Sequence, residues 1–221
     1  TGDSPKTGIV EQALGSDAFV IGCIDQAPFS LACAMGGIEN IMTQAIADTG
    51  FVLALIDRCV DHATCYGQAM AECGADMLST GDSPAGLVGP DLYRSLCLPA
   101  EQRLFAALRE LTSCYLSLHI CGDVTKFLPD MAASGADVLE IDQRVAMATA
   151  CQRVPEKIAL WGNIDPVSVL LHGTPQRVLA ESDAVLQDVA ANRRSRFVLS
   201  SGCTLAPNTP VRNLEALIHG N

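Results

Sequence analysis

The chain has 221 residues, of which 49% are hydrophobic and 18% charged, and its mean hydropathy is +0.26. This balance excludes a disordered segment, which combines low hydrophobicity with high charge density. The length also suffices to bury a core without disulfide staples. A net charge of −11 and a pI near 4.6 argue against nucleic acid as a partner, because its binders carry a basic footprint.

The one basic cluster, Arg193-Arg194-Ser195-Arg196, reads as a solvated helix end. No signal peptide opens the chain, and no apolar run reaches the roughly 18 residues of a membrane span. The expectation is a cytoplasmic protein with reduced thiols and no membrane contact. Cys23, Cys33, Cys59, Cys65, Cys73, Cys97, Cys114 and Cys151 sit among aliphatic residues and read as small buried hydrophobes. Cys121 and Cys203 stand apart.

In chain order, a strand is predicted over 18–24, preceded by Gly15-Ser16-Asp17. Residues 25–49 hold a turn near Gly36-Gly37 and a helix, and 50–73 form a long helix with apolar residues at three- and four-residue spacings. Gly74-Ala75-Asp76 leads into a strand over 75–81 that runs into Asp82. A helix covers 89–110, with Pro90 in its first turn and Asp91 and Glu101 on its polar side. Next come a strand over 114–121 and a short helix over 124–134. Gly135-Ala136-Asp137 then opens a strand over 137–142 that ends on Asp142. In such triplets the Gly caps one helix and a short loop enters the next strand. A strand over 157–163 precedes a helix through Ala191 that Thr174-Pro175 starts. A strand over 196–203 precedes a helix through Ile218 that Thr209-Pro210 starts; in both, a hydroxyl cap precedes a proline at the first helical position.

Strict alternation of apolar strands and helices means a parallel α/β fold, either a doubly wound sheet or a (β/α)8 barrel. No glycine-rich phosphate loop follows the first strand, whereas polar and reactive residues gather at the C-terminal ends of several strands, as in barrel enzymes. The fold expected is a TIM-type (β/α)8 barrel. Six strands in 221 residues leave it two βα units short of eight strands and about 250 residues. The whole of 1–221 then reads as one barrel domain lacking its first two units, a fragment whose opposite wall is missing.

His119 and Cys121 are two apart at a strand end, so imidazole and thiol point the same way, and Gly122 lets the backbone turn off. Ser201-Gly202-Cys203 ends the last strand. Because strand mouths converge in a barrel, a His/Cys/Cys set for zinc is one reading, with an open fourth position marking a catalytic metal. A hydrogen-bonded core His119 and a packing Cys203 are the other. His62 in a helix, His172 in a loop and His219 near the C-terminus carry no role. The string Thr-Gly-Asp-Ser-Pro at 1–5 and again at 80–84 is not a repeat architecture.

From Ala18 onward the sequence resembles the uroporphyrinogen decarboxylase superfamily of barrels. The likeness rests on APFSLA (27–32), GADML (74–78), GPDLYRSLCLP (89–99), HICGD (119–123), GADVLEIDQ (135–143), WGNIDP (161–166), GTPQRV (173–178) and SGCTLAPNTPVRNLEAL (201–217). Within that superfamily the decarboxylases use no metal and have Gly-His where this chain has Gly202-Cys203. The corrinoid-dependent methyltransferases carry His-x-Cys-Gly and a distant Gly-Cys that bind zinc, and this sequence is similar to them.

The resemblance implies an enzyme with zinc on His119, Cys121 and Cys203. It would move a methyl group between cobalamin on a partner corrinoid protein and a small-molecule thiol or similar acceptor, with a homodimer as one expected assembly. It further implies roles for the acids at strand ends. Asp82 is the first candidate for a fourth ligand, or else caps the following Asp-Ser-Pro turn. Glu140 and Asp142 share a face, and one lines the pocket or hydrogen-bonds the metal-bound histidine. Asp82 and Asp142 are thus the expected catalytic acids, and Gly122 and Asn163 the expected cofactor-contacting residues. A metal-free decarboxylase of acidic tetrapyrroles, with Arg144 the arginine nearest a strand end, is the alternative. A non-catalytic corrinoid- or metal-binding module is a third reading.

Overall fold

A computed structural model of the chain describes residues 8, 9, 13 and 17–220. The first Thr-Gly-Asp-Ser-Pro string and Gly15-Ser16 lie outside the described residues. Two compact units divide the chain, one comprising 1–120 with 133–137 and the other 121–132 with 138–221.

In the first unit, β1 (Ile21–Gln26), β2 (Met77–Gly81) and β3 (Tyr115–His119) run parallel, each hydrogen-bonded to the next. Between β1 and β2 lie three helices, α1 (Pro28–Gly36), α2 (Ile38–Ala47) and α3 (Thr49–Glu72). The turn predicted near Gly36-Gly37 divides α1 from α2, where Gly37 takes φ +79°. Asp48 caps α3 by accepting from the Phe51 amide. Buried Val52, Ile56, Val60, Ala63, Gly67 and Met70 form the inner stripe of α3. A Cβ on Gly67 would lie 2.7 Å from Leu108 and 3.1 Å from Ile24, so glycine lets this helix approach its neighbours closely.

The two Gly-Ala-Asp triplets work alike. Gly74 and Gly135 take φ +91° and +102°, and Ala75 and Ala136 are buried. Each aspartate then accepts a backbone N–H at the preceding strand: Asp76 Oδ2 from Val20 (2.7 Å) and Asp137 Oδ2 from Leu116 (3.0 Å).

Between β2 and β3 a 3-10 turn (Ser83–Leu87) leads to α4 (Gly89–Leu92), a π-helical segment (Tyr93–Cys97) and α5 (Leu98–Leu111). Asp91 is exposed as expected, but Glu101 is fully buried, which corrects its assignment to a polar face.

In the second unit, β4 (Val138–Glu140), β5 (Ala159–Ile164) and β6 (Phe197–Ser201) are again parallel and paired in chain order. The 124–134 helix is a 3-10 turn (Thr125–Phe127) followed by α6 (Leu128–Ala132). Helix α7 (Met147–Arg153) links β4 to β5, and a π segment (Pro166–Leu171) and α8 (Pro175–Ala191) link β5 to β6. Thr174 caps α8 as predicted, accepting from the Arg177 amide. Helix α9 (Val211–His219) differs: Pro210 itself is the N-cap residue, and the Thr209 hydroxyl donates backward to the Ala206 carbonyl. Ile164, Val169, Leu170 and Val178 form the core here, with Val185, Leu199, Ala216 and Leu217 packed on it.

Arg194 corrects the reading of the basic cluster. Only 6% exposed, it donates to the carbonyls of Val154, Pro155 and Ile158. Sequential parallel order with helical crossovers is the repeat of a TIM-type barrel, and all six predicted strands form within it. A doubly wound sheet would break that order at a switch point.

Candidate metal centre

β3 ends on His119, and Cys121 follows after the buried Ile120. Gly122 then takes φ +98°, a conformation that L side chains rarely adopt, and the chain turns away. Cys203 follows β6 through Gly202. A Cβ on Gly202 would lie 2.5 Å from the Gln143 backbone nitrogen, so no larger residue fits without displacing backbone.

Cys121 Sγ and Cys203 Sγ lie 3.6 Å apart, and both side chains are half-buried. His119 is tied to Cys121 by the chain itself, and the donor atoms of His119, Cys121 and Cys203 lie within 4.8 Å of one another. A zinc ion held tetrahedrally at 2.3 Å from two sulfurs sets them about 3.8 Å apart, whereas a disulfide sets them at about 2.05 Å. The observed spacing excludes a disulfide and suits either two thiols in contact or two ligands of one ion. The donor set fits zinc, since thiolate and imidazole together select it over hard cations.

The other predicted site residues fall into two groups. Asp142, 3% exposed, accepts from the Gly122 amide through Oδ2 (2.8 Å) and from the Arg144 amide through Oδ1 (2.7 Å). Both carboxylate oxygens therefore hold backbone. Asn163, 8% exposed, donates through Nδ2 to the carbonyls of Asp142 (3.1 Å) and Val145 (2.7 Å). It also lines a cleft of about 360 Å³ with Gln143, Val145, Asp165 and Arg177 among others. Glu140 is half-buried.

Asp82 belongs to the first unit and is fully buried. Its Oδ1 accepts from the amide (2.8 Å) and hydroxyl (2.9 Å) of Ser30, and it does not cap the Ser83–Leu87 turn. Burial pushes its carboxyl up to about 6, against the lowering by donors from Ser30 and Glu101. Glu101, also without exposure, accepts from the Tyr93 hydroxyl at 2.5 Å. Burial and the neighbouring Asp82 push Glu101 well above the usual carboxylate range. Sequence reading missed this Ser30–Asp82–Glu101–Tyr93 cluster, because nothing in the local pattern marks Glu101 as internal.

Of the eight cysteines expected to be buried, Cys33, Cys59, Cys97 and Cys151 are; Cys73 and Cys114 are half-buried, and Cys23 and Cys65 are exposed. Cys65 lies on the exposed side of α3, and Cys23 alternates with Gly22 and Ile24, which face α3, so it points to the opposite face of β1; an aliphatic neighbourhood in sequence does not ensure burial. Burial, then the Asp82 charge, pushes the Cys33 thiol up to about 12. His62, His172 and His219 are exposed. No helix among the described residues is long and apolar enough to cross a membrane.

The chain is 35% identical over 215 residues to a methylcobamide:CoM methyltransferase, MtbA, of Methanosarcina mazei, covering 95% of this chain and 60% of that protein. It is 28% identical over 213 residues to a uroporphyrinogen decarboxylase of a Synechococcus species, covering 93% and 58%. A solved methyltransferase from Methanosarcina mazei superposes with a TM-score of 0.88 at 25% identity, over 97% of this chain and 61% of that one. The chain thus spans about 60% of the length of the relatives it matches. The uroporphyrinogen decarboxylase (URO-D) family description matches residues 6–220, and with nearly its whole length so matched the chain belongs to that family.

Proposed function

We propose that this chain carries the metal-binding part of a zinc-dependent methyltransferase that moves a methyl group between a corrinoid, carried by a partner protein, and a small-molecule thiol. The observation that carries the reading is the approach of Cys121 and Cys203 to 3.6 Å beside His119. The methyltransferase relative supports it further, being more similar than the decarboxylase one at 35% against 28% identity.

His119, Cys121 and Cys203 would hold the ion and leave the fourth position of a tetrahedral site to an incoming thiol. When bound, zinc supplies the positive charge that keeps a thiol sulfur deprotonated at neutral pH. The two cysteine sulfurs offset that charge, a balance suited to alkyl transfer onto sulfur rather than to water activation. The three side chains are half-buried. Asp82, engaged with Ser30 and Glu101, is assigned to the interior of its own unit rather than to the metal.

Metal analysis of protein purified under reducing conditions tests the reading. About one zinc per chain is expected, with most of it lost in Cys203→Ser. Methylcobalamin with coenzyme M or homocysteine should then lose its methyl–cobalt absorption, and the Cys203→Ser protein should leave it unchanged. A protein free of zinc would overturn the proposal and point to the metal-free decarboxylase. Zinc without turnover would point to a binding module.

A further inference from the structure

Both cysteine-bearing turns meet one short segment of the second unit, the stretch just after β4. On one side, Asp142 Oδ2 accepts the amide N–H of Gly122, the residue after Cys121. On the other, Gly202, the residue before Cys203, lies so close to Gln143 that an added Cβ would sit 2.5 Å from its nitrogen and 3.0 Å from its Cβ and Oε1.

The segment is itself pinned. Ile141 donates its amide to the Trp161 carbonyl at 2.7 Å, Val145 closes a turn onto the Asp142 carbonyl at 3.1 Å, and Asn163 donates to Asp142 and Val145 at once. Gly202 is fixed from its other side by donating to the Ile164 carbonyl at 2.7 Å. Apart from the exposed Arg144, the members are buried or half-buried, so these bonds face little competition from water.

We infer that Asp142-Gln143, held by Asn163, is a positioning brace that sets the distance between the Cys121 and Cys203 sulfurs. One end is a hydrogen bond and the other a steric stop. Neither touches a sulfur, so Asp142, Gln143 and Asn163 are positioning residues. A carboxylate is needed at 142 because two N–H groups, from Gly122 and Arg144, converge on its two oxygens. An asparagine there offers one acceptor and turns an NH2 toward the other amide. The inference rests on the zinc reading for its purpose, while the hydrogen bond and the close approach it is argued from involve only this chain's own residues.

Two readouts separate the two ideas. The first is the equilibrium of the Cys121–Cys203 pair with glutathione in metal-free protein. There the pair closes to a disulfide as oxidised glutathione is reduced to two thiols, with the other cysteines mapped by alkylation. The second is the affinity for cobalt(II) and the intensity of its sulfur-to-metal absorption. Asp142→Asn is expected to weaken cobalt binding about 10- to 100-fold, the usual effect of removing a residue that orients a ligand. It should also lower the disulfide equilibrium constant by at least fivefold.

Thr174→Ala, which removes a helix cap in the same unit, should move neither readout, as a merely destabilising change would not. Where Asp142→Asn does not fold, Gly202→Ala carries the test from the other end, because its added Cβ pushes on Gln143 while the Asp142 carboxylate itself is kept. If both readouts stay within twofold of the parent in the folded variant, the brace is overturned. If the parent binds no metal but its disulfide equilibrium responds as stated, the zinc reading fails and the brace stands.

Discussion

Asp82 Oδ2 and Glu101 Oε1 are buried, and neither has a donor among its neighbours apart from the other carboxyl. A single proton held between them satisfies both, while Ser30 and the Tyr93 hydroxyl serve the remaining oxygens. Burial holds both acids above their ordinary values, so the folded chain binds protons more tightly than the unfolded one. Stability from this pair is therefore complete below 3.8, the ordinary aspartate value, and is lost as pH rises through about 6, Glu101 extending the loss further. Glu101→Gln keeps an acceptor for Tyr93 and gives Asp82 a permanent donor. Urea unfolding should show the variant gaining on the parent as pH rises from about 4 to 8, by on the order of 1–3 kcal/mol. Parallel pH profiles would show that the acids do not share a proton. Tyr93→Phe strips Glu101 of a buried donor and should cost about 1–3 kcal/mol at neutral pH.

At the scale of elements, the strands were legible because continuous apolar runs between helical periods leave little else, and the Gly-Ala-Asp triplets marked their starts. What escaped was register. Glu101 follows Asp91 by ten residues, which on a regular helix puts it about 80° around the axis from Asp91. The π segment at Tyr93–Cys97 absorbs about one extra residue and moves Glu101 about 180° away, onto the buried side. No residue type in 93–97 announces such a bulge. The candidate site was legible only in part. His119 and Cys121 are local neighbours on one strand end, but the partnership with Cys203, and the contact of Gln143 with Gly202, exist only once the strands are in place. Arg194 was misread because its three carbonyl partners lie 36–40 residues earlier in the chain. It ties the loop between α7 and β5 to the end of α8. Arg194→Lys, with one ammonium for a three-carbonyl fork, should destabilise by about 2–4 kcal/mol. The exposed Arg193→Ala should stay within about 0.5 kcal/mol. Equal effects in chemical denaturation would return the cluster to a plain solvated helix end.

For the whole molecule the dominant electrostatic fact is 25 acids against 14 bases. Several ion pairs join exposed side chains, among them Arg58–Asp61, Arg94–Asp91, Arg103–Asp57 and Arg177–Glu181. Exposed pairs of this kind contribute roughly 0–1 kcal/mol each and are screened by salt. Net repulsion among the surplus carboxylates opposes compaction and is screened as well, so salt has opposite effects through the two. With eleven negative charges in excess, repulsion should win. Raising sodium chloride from about 10 mM to 200 mM at pH 7.5 shortens the screening length from about 30 Å to under 10 Å. The thermal midpoint should rise by about 2–4 °C, the shift that corresponds to about 1 kcal/mol for a chain of this size. A fall in the midpoint would mean that the surface pairs outweigh the net charge. Near pH 4.6, where that charge vanishes, the same salt step should lose its stabilising effect.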